Sequence, residues 1–119
     1  MTTTSNTSIL PSLANTSQEE LLRLITERIR EAVDPEKIIL FGSRGRGDSR
    51  VNSDFDLLVI AESNAPRHRR AAGIYQSLWE IMEPIDVVVY TPAEVEEWRE
   101  VRQAFVTAAI REGRIIYER

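Results

Sequence analysis

The chain has no cysteine, a single histidine and no long apolar run among its 119 residues. The lack of cysteine excludes a disulfide scaffold and a thiolate metal site, and it suits the reducing cytoplasm, where we expect the protein to act. No segment approaches the roughly 18 consecutive apolar residues that a membrane helix needs, and the N-terminus lacks the basic region of a signal peptide. These absences predict a soluble protein without a membrane-spanning segment.

Charge and hydrophobic content fit a single globular domain. The net charge is −4 and 42% of the residues are hydrophobic, so one modest core is expected and direct nucleic-acid binding is not, because phosphate neutralisation requires a basic surface. Positive charge is nevertheless concentrated locally, since six of the fifteen basic residues lie between positions 44 and 70. An anionic ligand near this region is therefore plausible.

The sequence divides into a leader and one domain. Residues 1–16 are rich in Thr, Ser and Asn and are expected to form a flexible leader, and residues 17–119 are expected to form a single domain. A capping box at Ser17 and Glu20 begins an amphipathic helix that should end near Asp34. Short apolar or β-branched runs then predict strands at 38–41, 55–60 and 85–90.

Two further helices and one more strand complete the predicted order. An amphipathic stripe predicts a helix that Pro84 closes, formed by Ala71, Ile74, Tyr75, Leu78 and Met82. A second stripe predicts one continuous helix from the cap at Thr91 to Gly113, formed by Val95, Trp98, Val101, Phe105 and Ala108. With a possible last strand at 114–117, the pattern predicts an α+β fold, a sandwich-like arrangement in which helices flank a small mixed sheet of three to four strands.

Two aspartates open the second predicted strand in the sequence SDFDL. Residues at i and i+2 of a strand share a face about 7 Å apart, so Asp54 and Asp56 should project together. Asp86 opens the third strand and can join them if the two strands are neighbours. Carboxylates so placed repel one another unless a cation lies between them, and an oxygen-only set suits Mg²⁺. The alternative is that Asp54 and Asp56 only cap a strand entrance.

The first strand ends in the glycine turn Gly42-Ser43. A glycine there lets backbone N–H groups approach a phosphate closely, and the serine adds a hydroxyl donor. Arg44 and Arg46 can add charge-assisted contacts to a polyphosphate, and of the two Arg46 is the better candidate. Either arginine could instead form a surface salt bridge with Asp48.

Together these residues resemble the minimal nucleotidyltransferase family of the polymerase-beta-like superfamily. GSRGRG, five further residues and SDFDL are similar to the family motif GSxxRG, five residues, SDxDL, and the flanking elements extend the similarity to about residues 18 to 117. Gly45 stands where many relatives have alanine. The resemblance implies the polymerase-beta-like nucleotidyltransferase fold.

The resemblance also implies a role for each motif residue. Gly42 and Ser43, assisted by Arg46, would bind the phosphates of a nucleoside triphosphate. Asp54 and Asp56 would bind two Mg²⁺ ions, and Asp86 would complete the metal site and help to remove the proton of the acceptor hydroxyl. That hydroxyl would then attack the α-phosphate in line as pyrophosphate leaves.

The acceptor is implied by the family rather than by any motif. Stand-alone proteins resembling this one are typically antitoxins of a HEPN-type ribonuclease toxin, to which they transfer AMP from ATP at a tyrosine. The resemblance therefore implies a protein adenylyltransferase antitoxin that forms a hetero-oligomer with its toxin. Two alternatives stay open, namely a non-catalytic antitoxin that acts by binding, and a nucleotidyltransferase acting on a small molecule such as an aminoglycoside.

Overall fold

A computed structural model of the chain describes residues 17–42 and 54–119. The predicted leader, residues 1–16, lies outside these ranges. The described helices are α1 (Gln18–Ala32), α2 (Ala72–Ser77), α3 (Pro92–Trp98) and α4 (Phe105–Glu112), with one 3-10 turn at Arg67–Arg69. The strands are β1 (Lys37–Phe41), β2 (Phe55–Ile60), β3 (Ile85–Tyr90) and β4 (Arg114–Glu118). No helix in these ranges is long and apolar enough to cross a membrane.

The strands form one mixed four-stranded sheet in the order β3-β2-β1-β4. β1 is antiparallel to both β2 and β4, whereas β2 and β3 run parallel. The predicted mixed sheet of three to four strands with flanking helices is thereby confirmed. Among the described strands β3 and β4 are the edges, so β3 has a neighbour from this set on one side only.

The sheet carries an apolar cluster on each face because alternate strand residues point in opposite directions. One cluster joins Leu40, Leu57 and Val87 to α1 and α2. The other joins Ile39 and Leu58 to Val106 and Ala109 of α4, with further members.

The first helix matches its prediction. The Ser17 side chain accepts a hydrogen bond from the Glu20 backbone, the Glu20 side chain accepts from the Ser17 backbone, and the helix buries Leu21, Leu22, Ile25 and Ile29. Both halves of the capping box are therefore made, which satisfies donors that every helix start leaves without partners.

The helix α2 is much shorter than the amphipathic stripe that predicted it. α2 ends at Ser77, Leu78 is its C-cap, and Met82 is 87% exposed. Once the helix ends, the 3.6-residue period no longer applies, so Met82 does not belong to the buried face and Ile81 is buried in its place. The prediction of Met82 as part of the stripe was wrong.

The single helix predicted from Thr91 to Gly113 is two helices. The capping box at Thr91 and Glu94 and the C-cap at Gly113 are present, but the chain leaves helical geometry between α3 and α4. One helix of this length would extend about 30 Å, whereas a six-residue strand extends only about 20 Å. Breaking the helix lets α4 turn back and cover the sheet, and it leaves Trp98, Val101 and Phe105 partly exposed.

Candidate active site

The predicted site carboxylates lie at one end of the sheet, next to the apolar residues of β2 and β3. Along β2, Phe55 and Leu57 are buried in the core while Asp56 is only partly buried, and Asp54, just before the strand, is exposed. Asp56 therefore lies on the same face of the sheet as Leu58. The structure thus has Asp56 on the opposite face from Phe55 and Leu57, as predicted, while Asp54 precedes the strand.

Asp86 joins Asp56 because β2 and β3 are neighbours in parallel register. Asp56 is paired directly with Asp86, one residue after Phe55 is paired with Ile85. Paired residues on adjacent strands have their backbones about 4.8 Å apart and their side chains on the same face. The sheet therefore brings together two carboxylates that are 30 positions apart in the chain. The charge of Asp54 also acts on Asp56.

Gly42, directly after β1, adjoins Asp56 of this pair from the other side of β2. It follows Phe41, which is paired with Asp56, and its φ of +73° is in the left-handed region that side chains disfavour. A Cβ at this position would lie 2.6 Å from Asp56 Oδ2. The carboxylate of Asp56 thus occupies the space that the missing side chain leaves.

The site is electrostatically uncompensated within the described residues. Burial raises the pKa of Asp56, and the negative charges of Asp54 and Asp86 raise it further. A divalent cation would relieve this repulsion, and a set of carboxylate oxygens is chemically suited to one. In 17–42 and 54–119, however, no three Asp, Glu, His or Cys side chains are already gathered to hold an ion.

Tyr75 is a neighbour of the site that the sequence did not indicate. Its hydroxyl lies 3.2 Å from Asp86 Oδ1 and accepts a hydrogen bond from the Val87 backbone N–H at 2.7 Å. From the sequence, Tyr75 was only one member of an amphipathic stripe. The contact depends on how α2 lies against β3, and no local pattern encodes that placement.

The remaining predicted ligands lie outside the residues that the structure describes. Ser43 and Arg46, like Arg44 and Asp48, fall outside the described residues. Their predicted contacts to the phosphates of a nucleotide remain predictions. Of the predicted site residues, Gly42, Asp54, Asp56 and Asp86 are described, and all of these lie at one end of the sheet.

Several solved structures share this fold. A candidate nucleotidyltransferase from Sulfolobus solfataricus superposes with a TM-score of 0.61 at 20% identity, covering 96% of this chain and 90% of that one. A toxin-antitoxin structure with AMP-PNP gives 0.58 at 20% identity, covering 82% and 73%. A mutant of the toxin-antitoxin MntA-HpeT gives 0.51 at 17% identity, covering 87% and 75%. At these identities the likeness establishes the fold.

Family membership rests on a separate match. No functionally curated protein matched the chain. Residues 23–119, however, match the family described as Polymerase beta, Nucleotidyltransferase. This range begins within α1 and includes all four strands together with the glycine turn and the three aspartates. The chain therefore belongs to the polymerase beta nucleotidyltransferase family.

Proposed function

We propose that the protein is a Mg²⁺-dependent adenylyltransferase antitoxin that transfers AMP from ATP to a tyrosine of a HEPN-type toxin. The observation that carries the proposal is the pairing of Asp56 with Asp86 beside Gly42. The fold neighbours add support, because one is a toxin-antitoxin structure with AMP-PNP, an ATP analogue, and another is the toxin-antitoxin MntA-HpeT.

Each residue of the site has a proposed task. Gly42 and Ser43 bind the phosphates through backbone and hydroxyl donors, and Arg46 holds the departing pyrophosphate. Asp54, Asp56 and Asp86 would hold two Mg²⁺ ions, which when bound would neutralise the crowded carboxylates and the triphosphate. Asp86 also accepts the proton of the acceptor hydroxyl.

The reaction forms one bond and breaks another. The tyrosine oxygen of the toxin attacks the α-phosphorus of ATP, and the bond from that phosphorus to the bridging oxygen of the β-phosphate breaks. Pyrophosphate leaves with the electron pair, while the proton of the hydroxyl passes to Asp86. The protein contributes position and charge rather than a covalent intermediate.

The test is transfer to the protein encoded next to this gene, which the proposal identifies as the toxin. We expect ATP, Mg²⁺ and this protein to add the mass of one AMP unit to that toxin, and replacement of the modified tyrosine by phenylalanine to abolish the addition. The matched control is the Asp54→Asn, Asp56→Asn double variant, which should bind the toxin but add no mass. An unchanged toxin mass with the wild-type protein would contradict the proposal.

A binding-only antitoxin is the second candidate. It is favoured by one observation, that the described carboxylates are not gathered around a single point. The same double variant distinguishes the two in cells that express the toxin. Growth rescue equal to that of the wild type would indicate neutralisation by contact, whereas loss of rescue would indicate catalysis.

A further inference from the structure

Tyr75 lies at the outer edge of β3, which is an edge strand of the sheet that residues 17–42 and 54–119 form. The neighbouring residue Ile74 is fully buried and anchors α2 in the core, while Tyr75 itself is 41% exposed. The tyrosine ring therefore extends from an anchored helix over the edge of the strand that carries Asp86. Its hydroxyl is adjacent to the site, in contact with Asp86.

The Tyr75 hydroxyl accepts one hydrogen bond and donates another. The Val87 N–H donates to the tyrosine oxygen at 2.7 Å, so one acceptor position of that oxygen is already used. A hydroxyl has one proton to donate, and Asp86 Oδ1 lies 3.2 Å away. The backbone thus orients the hydroxyl so that its proton points at the carboxylate.

A fixed hydrogen-bond partner restricts the orientation of the Asp86 carboxylate. It is an exposed residue on an edge strand, and an exposed side chain without a fixed partner samples several rotamers. A hydrogen bond to Oδ1 from a group that is itself fixed by the backbone restricts that freedom and leaves Oδ2 for another partner. Supports of this kind typically change metal affinity or activity by about 10- to 100-fold.

We propose that Tyr75 is a positioning residue that holds the carboxylate of Asp86 in the orientation the site requires. The inference rests on the proposed function and deepens it, because it names the residue that orients the proton acceptor. Tyr75 acts through Asp86 and touches neither the nucleotide nor the acceptor.

The test is the removal of one oxygen in Tyr75→Phe. We expect Mn²⁺, used in place of Mg²⁺ and titrated by calorimetry, to bind this variant at least 10-fold more weakly than the wild type. The matched control is Tyr117→Phe, the same chemical change on β4 at the other edge of the sheet, which should bind Mn²⁺ like the wild type. Thermal unfolding of both variants verifies that each is folded.

Coupling with Asp86 separates positioning from general structural damage. In an Asp86→Ala background, Tyr75→Phe should weaken Mn²⁺ binding no further, since a residue that acts through Asp86 then has no side-chain acceptor left to orient. In the transfer assay, kcat should fall while KM for ATP stays unchanged. Additive losses in the double variant, or wild-type affinity in Tyr75→Phe, would overturn the inference.

The same measurements separate this inference from the proposed function. A wild-type protein that binds Mn²⁺ and modifies the toxin, with an unaffected Tyr75→Phe variant, refutes the role of Tyr75 alone. A wild-type protein that binds no Mn²⁺ refutes the proposed chemistry, and the role of Tyr75 with it. Faster amide hydrogen exchange at Val87 in the variant checks the hydrogen bond itself without any metal.

Discussion

Two independent structural features favour glycine at position 42. Its φ of +73° costs any other residue free energy, because a side chain in the left-handed region crowds the following carbonyl. A Cβ would in addition lie 2.6 Å from Asp56 Oδ2. The same position thus sets the turn after β1 and leaves room for the carboxylate of Asp56.

Replacing Gly42 with alanine should therefore lower stability and disturb Asp56. We expect Gly42→Ala to reduce the free energy of unfolding by about 1–2 kcal/mol, from the left-handed conformation alone, as measured by urea denaturation. Gly73→Ala is the matched control, since Gly73 lies inside α2 and a Cβ there meets nothing within 4 Å. That variant should gain about 0.5–1 kcal/mol, and equal effects at both positions would contradict the explanation.

Single residues also differ in how far the sequence reveals them. Asp54 and Asp56 can be identified from the sequence, because they stand two positions apart at the start of a predicted strand. Asp86 could be placed with them only on the condition that β2 and β3 are neighbours, which the parallel pairing now satisfies. Tyr75 could not be found at all, because its contact depends on the packing of α2 against a strand that comes ten residues later in the chain.

At the scale of elements, an ion pair joins the segment before α2 to the start of α3. Arg70 binds both carboxylate oxygens of Glu94, at 2.6 and 3.1 Å, and donates to the backbone oxygens of Ala65 and Val89. The hydrogen bonds from Arg70, together with the backbone N–H of Thr91, lower the pKa of Glu94 to about 2. One arginine therefore ties a loop, a strand and a helix N-terminus together.

Removing this arginine should weaken the protein markedly. The Arg70 side chain is only 9% exposed and that of Glu94 22%, so Arg70→Met should cost about 2 kcal/mol, less than a fully buried pair would. Because the pKa of Glu94 is depressed, the stabilisation is present above its ordinary value of 4.5 and disappears as the pH falls towards 2. Urea denaturation at pH 7 and pH 2.5 measures both effects.

The exposed pair between Arg99 and Glu96 provides the control for that experiment. Their side chains are 66% and 67% exposed, so Arg99→Met should change stability by less than about 0.5 kcal/mol. If Arg70→Met were equally mild at pH 7, or if its cost were as large at pH 2.5 as at pH 7, the ion pair would not be what joins these elements.

The limits of sequence prediction at this scale have a common cause. Helix starts were predictable because caps are local, and both capping boxes are made. The break between α3 and α4 has no glycine or proline to mark it, since residues 99–104 read REVRQA. It follows from the length of the sheet face that α4 must cover, which is a property of the assembled fold.

At the scale of the whole molecule, the carboxylate site lowers the stability of the metal-free fold. The apolar residues of β2 and β3 hold three carboxylates at one end of the sheet, and burial and mutual repulsion raise the pKa of Asp56. A raised carboxyl pKa means that its contribution to stability is full below the ordinary value of 3.8 and is lost as the pH rises through the raised value. The metal-free protein should therefore be less stable at neutral pH than its core alone would make it.

Neutralising Asp56 should consequently stabilise the metal-free protein while abolishing its response to metal. At pH 7, we expect Asp56→Asn to unfold at higher urea concentration than the wild type, with the difference vanishing near pH 3. Asp34→Asn, the same change at a side chain that is 86% exposed, should show no such gain. Mg²⁺ at 100 times its dissociation constant should stabilise the wild type by about 2.7 kcal/mol and leave Asp56→Asn almost unaffected. Equal stabilisation of both proteins by Mg²⁺ would mean that the ion binds elsewhere, because only the carboxylate cluster distinguishes them.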